Sequence, residues 1–545
     1  MSHTEPARTG WGAGRGETRS HADAASPHRR VSGMLYVRAR FPTRALDHEV
    51  AVFAGGSMGR SARLLALVVL PSFAVGCGGG GSVDGPTVLP LLPDRVLAWN
   101  EIALDAIVID HTPNLPQLPG SNVPGANAGS ERGPTRTGRA MAIVHAAIYD
   151  AVNSIDHGHT PYLVHTEYVG TASTDAAIAQ AAHDTLVAMW PQQVARFDAA
   201  LAADLALIPD GVQEDLGVQA GAEAADAILA ARAFDGSSVE YPGNSPYSAG
   251  TLPGRHRPDP LNPGQGFVTP RWGEVDPFGV ASYFSFSPPP PPPLNSPEYT
   301  AAFNEVKTLG GDGITTPTTR TADQTRIGLF WAYDGSAGLG VPNRLYNQIA
   351  RTIAVQEGNT VVENARLFFL VNVALADAIS ACWSTKYVED FWRPVIGIRE
   401  SDPGTGPTGL GDGNPSTAGD PTWTPLGAPS TNTDANNATP NFPSYTGGHP
   451  TFGGAFFQTL IDYYGRADIP FTFTSDELNG VNRENSTGSP RPLAPRSYAN
   501  LRQAEQENAD SRIYLGIHWR FDETEGVLVG RGVANEIHAK LALPR

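Results

Sequence analysis

RAMAIVHAAIYDAVNSI, residues 139–155, places apolar side chains every three or four positions with small alanines between them. That spacing puts an apolar stripe along a helix, and alanine lets a neighbouring helix approach closely. The same period runs through LLPDRVLAWNEIALDAIVID at 91–110, DAAIAQAAHDTLVAMW at 175–190, VARFDAALAADLALI at 194–208 and VQEDLGVQAGAEAADAILAARA at 212–233. Residues 236–298 are loop-rich and contain the Pro288–Pro293 run, a stiff extended connector. A second helical set follows, with candidates at 299–308, 322–334, 341–356, 362–388, 449–465, 498–515 and 521–542. Strand signals are sparse. The chain therefore reads as all-α, with two helical bundles or repeats and long ordered loops. Residues 91–298 form the first region and 299–545 the second, which carries the site.

A chain of 545 residues can hold a large core or two helical domains. The 59 glycines and 47 prolines imply long ordered loops, and one without periodicity lies between Pro394 and Phe442. The net charge of -17 argues against a nucleic-acid partner. No apolar run reaches the length needed to cross a membrane, apart from a short one near the N-terminus. That run, MGRSARLLALVVLPSFAVGC at 58–77, has Arg60 and Arg63 ahead of Leu64–Val69 and ends in Ala74-Val75-Gly76-Cys77. It resembles a bacterial lipoprotein signal, with Cys77 as the lipidated first residue of the mature chain. Residues 1–57 then read as an extension ahead of the true start, and 78–90 as a Gly/Ser/Pro tether. The protein is expected to be exported and held at a membrane only through that lipid, facing the periplasm or exterior. The other cysteine, Cys382, is then left without a disulfide partner and is expected as a buried core thiol.

Three short stretches of the second region gather cations and imidazoles. They are KYVEDFWRP at 386–394, PSYTGGHPTFGGAF at 443–456 and SRIYLGIHWRFD at 511–522. Lys386 and Arg393 are seven apart, nearly two helical turns, so a helix would project both from one face, with Pro394 ending it. The second stretch opens a helix after a glycine-rich turn, where unpaired N–H groups bind anions and Gly448 can offer its own at close range. His449 then stands beside such an anion as an acid–base group. Arg512 and His518 are six apart and do not share a helical face, so Gly516 is expected to mark a bend that brings both to the site. Asp522 either orients nearby groups or caps the following helix. An acidic chain that concentrates basic groups this way is built to hold one small oxyanion, since arginine gives bidentate contacts and lysine a point charge.

The three motifs, in this order, resemble those of the superfamily of vanadium-dependent haloperoxidases and type-2 phosphatidic acid phosphatases, most closely the chloroperoxidase branch. The resemblance extends through FWAYDGSAGLGVPNRLYNQIARTIAV at 330–355, WTPLGAPSTNT at 423–433 and SDELNGVNRENS at 475–486. It implies a vanadate cofactor bonded to His518 through a ring nitrogen, with Lys386, Arg393, Gly448 and Arg512 holding its oxygens. Phosphate, with the same tetrahedral shape, fits the same site. The resemblance also implies His449 as the acid–base group, Trp383 and Phe442 beside the halide, and Asp334 holding Arg512 and raising the pKa of His449. The implied reaction is oxidation of a halide by hydrogen peroxide. The alternative is a phosphomonoesterase in which His518 is the nucleophile and His449 protonates the leaving group. A third reading is a non-catalytic surface protein that binds an oxyanion. The family pattern Pro-Ser-Gly-His is broken here, because Thr446-Gly447-Gly448-His449 lacks the serine hydroxyl. A serine restored at 447 is expected to tighten vanadate binding where the backbone accepts a side chain.

Overall fold

The first helical set begins at Asp94, whose carboxylate accepts from the Leu97 N–H and caps α1 (Arg95–Asp110). Pro134 opens α2 (Pro134–Asp156), and the Ser173 hydroxyl caps α3 (Thr174–Met189). Helices α4 (Val194–Leu205) and α5 (Val212–Ala231) complete the set. The small residues read from the sequence allow the close packing. A Cβ at Gly217 would lie 2.3 Å from the Ser173 carbonyl oxygen, and one at Gly221 2.4 Å from that of Ala177, so α5 lies directly on α3.

The second set comprises α6 (Pro297–Leu309), α7 (Ala322–Phe330), α8 (Pro342–Glu357), α9 (Val361–Glu389), α10 (Pro394–Arg399), α11 (Gly448–Tyr464), α12 (Leu501–Tyr514) and α13 (Arg520–Lys540). Capping boxes, Thr321 with Gln324 and Thr360 with Glu363, start α7 and α9. The only strands among the described residues are β1 (Phe471–Phe473) and β2 (Arg496–Tyr498), paired antiparallel. The all-α reading thus holds in the computed structural model, which describes residues 94–112, 129–168, 172–240 and 247–545. Cys77, the apolar run at 58–77 and the tether at 78–90 lie outside the described residues. Residues 86–545 cluster as one unit, whose largest core group joins side chains of α1 and α2 to those of α8, α9 and α11.

Helix α9 is the spine of this unit and packs against α2, α8, α11 and α13. The structure corrects the expectation about membrane-length segments here. By length and composition α9 could cross a membrane, but 94% of its apolar window is buried inside the protein. Its apolar character is that of a core helix, and its buried Asp377 accepts from the N–H groups of Phe278, Gly279 and Val280 at 2.7, 2.8 and 3.0 Å.

Two helix ends also differ from the sequence reading, and both differences shape the site. Helix α9 stops at Glu389, where Asp390 turns left-handed (φ 53°), so Lys386 and Arg393 do not share one helix face. Arg393 is the residue before α10, and Pro394 begins that helix rather than ending the previous one, because its fixed φ suits a first helical position. Likewise α7 stops at Phe330 instead of 334, and a turn with positive φ at Tyr333 and Gly335 carries Asp334 out of the helix.

Candidate active site

Helices α11 and α13 cross at glycines. A Cβ at Gly530 would sit 2.0 Å from the Thr451 carbonyl oxygen, which fixes how closely the start of α11 approaches α13. This crossing places the three motifs around one point. Gly516 (φ +74°) makes the expected bend, and a Cβ there would lie 2.4 Å from the Gly310 carbonyl oxygen. The bend separates Arg512 at the end of α12 from His518 just before α13.

His518 is buried, and its Nδ1 lies 2.8 Å from the Asp522 carboxylate one turn on. The same carboxylate oxygen accepts from the Trp519 backbone N–H at 3.0 Å. Asp522 therefore does both things the sequence left open: it orients the imidazole and caps α13. A carboxylate at Nδ1 holds the proton there and leaves the lone pair on Nε2. That Nε2 accepts from Arg393 Nη1 at 2.9 Å. Burial, with the nearby charges of Arg393, Lys386 and Arg512, keeps His518 neutral by pushing its pKa well below the ordinary value. Burial also pushes the Asp522 carboxyl up to about 7.

Arg393 is fully buried and tied by Nε to the Phe442 carbonyl (2.9 Å) and by Nη1 to that of Ile517 (2.8 Å), while its Nη2 has no partner. Lys386 donates to the carbonyls of Pro443, Ser444 and Thr446, and burial lowers its pKa to about 8. The ammonium thus grips the loop ahead of Gly447 and sits under the Phe442 ring, 5.0 Å from its centre.

His449, in the first turn of α11, has Nε2 at 2.6 Å from the Ala332 carbonyl and 3.4 Å from Arg512 Nη1. The shorter contact decides the tautomer: Nε2 donates to the carbonyl, and the lone pair is on Nδ1. Arg512 donates from Nη2 to Asp334 at 2.7 Å, as expected, and its Nε has no partner, nor has the second oxygen of Asp334. The expected rise of the His449 pKa is not found. Asp334 acts upward, but burial and then the Arg512 charge outweigh it and hold the imidazole at about 3. His449, His518, Arg512, Gly448, Asp334, Trp383 and Phe442 all line one cavity of about 420 Å³, and the Trp383 and Phe442 rings meet at 4.9 Å. Lys386 and Arg393 stand behind that wall.

One relative decides the kinship. The vanadium chloroperoxidase of Curvularia inaequalis is 32% identical, with 78% of each chain covered. The chain belongs to the vanadium haloperoxidase family. Residues 366–543 also match the VCPO second helical-bundle domain. A bacterial vanadium-dependent iodoperoxidase shares the fold at a TM-score of 0.62 and 22% identity, covering 83% of this chain and 98% of its own. An apo-type bacterial vanadium-dependent chloroperoxidase does so at 0.57 and 15%, covering 75% and 94%. This haloperoxidase-family chain is accordingly an enzyme with the all-α fold of its relatives.

The residues fit the vanadate that the family implies. Arg393 Nη2 and Arg512 Nε are buried donors without acceptors, and a tetrahedral oxyanion beside His518 Nε2 would satisfy both. Among the described residues no three His, Cys, Asp or Glu side chains cluster as a divalent-cation site. One imidazole amid cations suits an anionic group instead.

The departure at Gly447 has a steric cause in this haloperoxidase-family member. Its φ of -64° would suit any residue, but a Cβ there would lie 2.5 Å from Cγ of the Pro450 ring. A serine at 447 would have to displace that ring before its hydroxyl could serve the oxyanion, and the ring cannot swing aside as a flexible chain would. Thr446 does not replace the hydroxyl, since its Oγ1 donates to the Cys382 thiol, which is free and buried. The sequence reading also missed Asn508 and Tyr346, which donate to the His449 carbonyl at 2.9 and 3.0 Å. It missed His256 as well, buried with neither ring nitrogen partnered and close enough to Arg393 and Lys386 for their charges to lower its pKa further, after burial. Tyr346 lies in the stretch 330–355 and Asn508 one turn before Arg512 on α12, whereas His256 comes from a loop far away in sequence from all three motifs.

Proposed function

We propose that this protein oxidises a halide with hydrogen peroxide on vanadate held by His518. The observation that carries the reading is the pair of buried guanidinium nitrogens without partners, Arg393 Nη2 and Arg512 Nε, on the two arginines whose charges act on His518, an imidazole whose Nδ1 is held by Asp522 and whose Nε2, here accepting from Arg393 Nη1, is the nitrogen that vanadate would take. Bound vanadate would supply Lewis acidity that polarises peroxide toward attack by the halide. The chain's own groups do the rest. Arg393 and Arg512 would hold the oxyanion, Gly448 would add a backbone N–H from the first turn of α11, and Lys386 would add positive charge from behind. His449 would take a proton from incoming peroxide at Nδ1, which its Ala332 contact leaves unprotonated. Asp334 would keep Arg512 in place, and the Trp383–Phe442 pair would give the halide a dry, polarisable wall. Export and lipid anchoring through Cys77 belong to the same reading and rest on the sequence alone.

The test uses purified protein with vanadate, peroxide and bromide or chloride, alongside a phosphomonoester without vanadate. Halide oxidation that needs vanadate and is lost in His518→Ala is expected. Phosphomonoester hydrolysis with no halide oxidation under any vanadate concentration would overturn the proposal.

A further inference from the structure

The cavity above the oxyanion residues is far larger than halide oxidation requires. At about 30 Å³ per water, 420 Å³ has room for roughly fourteen waters. Peroxide and a halide ion need only a small part of that. Drug-sized organic ligands occupy pockets that begin at about 300 Å³.

The wall is also built for an organic molecule. Val268, Val341, Trp383 and Phe442 present apolar surface next to the reacting end. Two loops from opposite parts of the chain close the sides, one carrying Gln265 and Val268 and the other Ala438 and Thr439. They are tied together: Gln265 Nε2 donates to the Thr439 carbonyl at 3.1 Å, and Asp259 accepts from the Thr439 N–H at 2.9 Å. In that wall Gln265 Oε1 and Thr439 Oγ1 are buried with no hydrogen-bond partner. Neither belongs to the oxyanion machinery. The charged wall side chains are Arg512, Asp334 and Arg132, and the first two neutralise each other. Arg132, which is exposed, leaves the wall a net attraction for anions.

We propose that this cavity binds a flat, electron-rich aromatic carrying an anionic group, such as a hydroxyaryl carboxylate, and that halogenation takes place on this bound acceptor. The ring lies against Val268, Trp383 and Phe442, its hydroxyl meets Gln265 and Thr439, and its anionic group meets Arg132. The proposal rests on the halide-oxidising reading above. The step balances as one aromatic C–H, one halide ion, one hydrogen peroxide and one proton giving one aryl halide and two waters. The halide gives two electrons to the O–O bond, the carbon–halogen bond forms, and the ring carbon releases its proton.

The experiment is calorimetric binding of 6-hydroxy-2-naphthoate and of 2-naphthol to the full chain without peroxide. The naphthoate should bind at least about tenfold more tightly than the naphthol, and Arg132→Gln should remove that margin. Val268→Trp and Ala438→Trp, from the two separate loops, should each abolish binding of both probes, with thermal unfolding confirming that the variants fold. With bromide and peroxide added, bound naphthoate should yield a single brominated isomer. Absence of binding to the unaltered protein, or unchanged binding in both folded tryptophan variants, would overturn the pocket. Equal affinity for the two probes would overturn the anionic acceptor. Triiodide formation from iodide and peroxide, measured without any aromatic, keeps the two readings apart. Iodide oxidation without naphthoate binding sinks the acceptor site alone. Naphthoate binding without oxidation of any halide sinks the halogenation step and the halide-oxidising function together.

Discussion

Two arginine pairs in this molecule, one half-buried to buried and one wholly buried, are put together in opposite ways. In the first bundle, Arg139 and Arg232 both donate from Nε to Asp235, at 2.6 and 3.0 Å. Asp235 takes the Ser237 N–H and hydroxyl on its other oxygen, and the remaining guanidinium nitrogens reach Met189, Arg232, Asp276 and Pro277. Each guanidinium nitrogen and each carboxylate oxygen has a partner. In the second bundle, Arg393 and Arg512 share no carboxylate, and each keeps a buried N–H without an acceptor. Burying an unpaired donor costs about 1–3 kcal/mol. The first arrangement is a structural lock, and the second leaves one nitrogen of each guanidinium without a protein acceptor. An unpartnered guanidinium nitrogen alone does not mark a ligand site, since Arg344 and Arg491 each keep one inside an ion pair; what sets Arg393 and Arg512 apart is that theirs belong to a cluster of cations around His518 at a cavity.

The largest test breaks the closed cluster. Asp235→Ala leaves the buried Arg232 and the half-buried Arg139 guanidinium groups uncompensated and should cost about 3–5 kcal/mol in urea unfolding. A loss below 1 kcal/mol would mean that the cluster is not a lock. Its pH dependence points the same way. Burial acts to raise the Asp235 pKa, but the bonds and charges of Arg139 and Arg232 leave it below the ordinary carboxylate value. The stability it contributes is therefore present above the usual aspartate range and is lost as pH falls through the lowered value.

In the open cluster the same kind of change should act on affinity. Arg393→Gln and Arg512→Gln should each weaken vanadate or phosphate binding by about 1.5–3 kcal/mol, roughly 10–100-fold, in titration calorimetry. Unchanged affinity in either variant would show that its free N–H does not face the oxyanion.

Gly447→Ser sharpens the comparison at a smaller scale. Its side chain must displace the Pro450 ring, so the variant should lose about 1–3 kcal/mol of stability, read as a lower midpoint of thermal unfolding. A variant as stable as the parent would mean that the floor of the site yields more readily than its contacts imply.

The smallest effect concerns Glu523, buried on α13 with neither carboxyl oxygen partnered. Burial, then the Asp522 charge, raises its pKa well above the ordinary value. An acid raised in the folded state binds a proton there that the unfolded chain has lost, so this group costs stability as pH climbs above the usual glutamate range. Glu523→Gln should flatten that decline by up to about 1.4 kcal/mol per pH unit. An identical stability–pH curve for parent and variant would remove Glu523 from the account.

Much of this was legible in the sequence, though by uneven routes. The helices at 297–309, 342–357, 361–389 and 448–464 fall within two residues of the expected spans, because apolar periodicity and capping are local signals. The candidate residues also assemble: Lys386, Arg393, His449, Arg512, His518 and Asp334 meet around one point. The way they meet was partly misread. Lys386 and Arg393 converge through a left-handed turn at Asp390, which no seven-residue spacing announces. The His449 pKa was expected to rise because Asp334 was visible as a neighbour, whereas complete burial beside Arg512 was not.

By itself, then, the chain determined what repeats or is chemically marked locally: helical stripes, caps, the bend at Gly516, and a set of cations and imidazoles in an otherwise acidic protein. Only the tertiary structure decided what each ring nitrogen of His449 and His518 faces, which arginine nitrogen lacks a partner, that a side chain at 447 would crowd Pro450, and how much room lies above the site. Those properties depend on distances between segments hundreds of residues apart, and on burial, which multiplies the worth of every unmet charge and hydrogen bond. Local sequence carries no record of either.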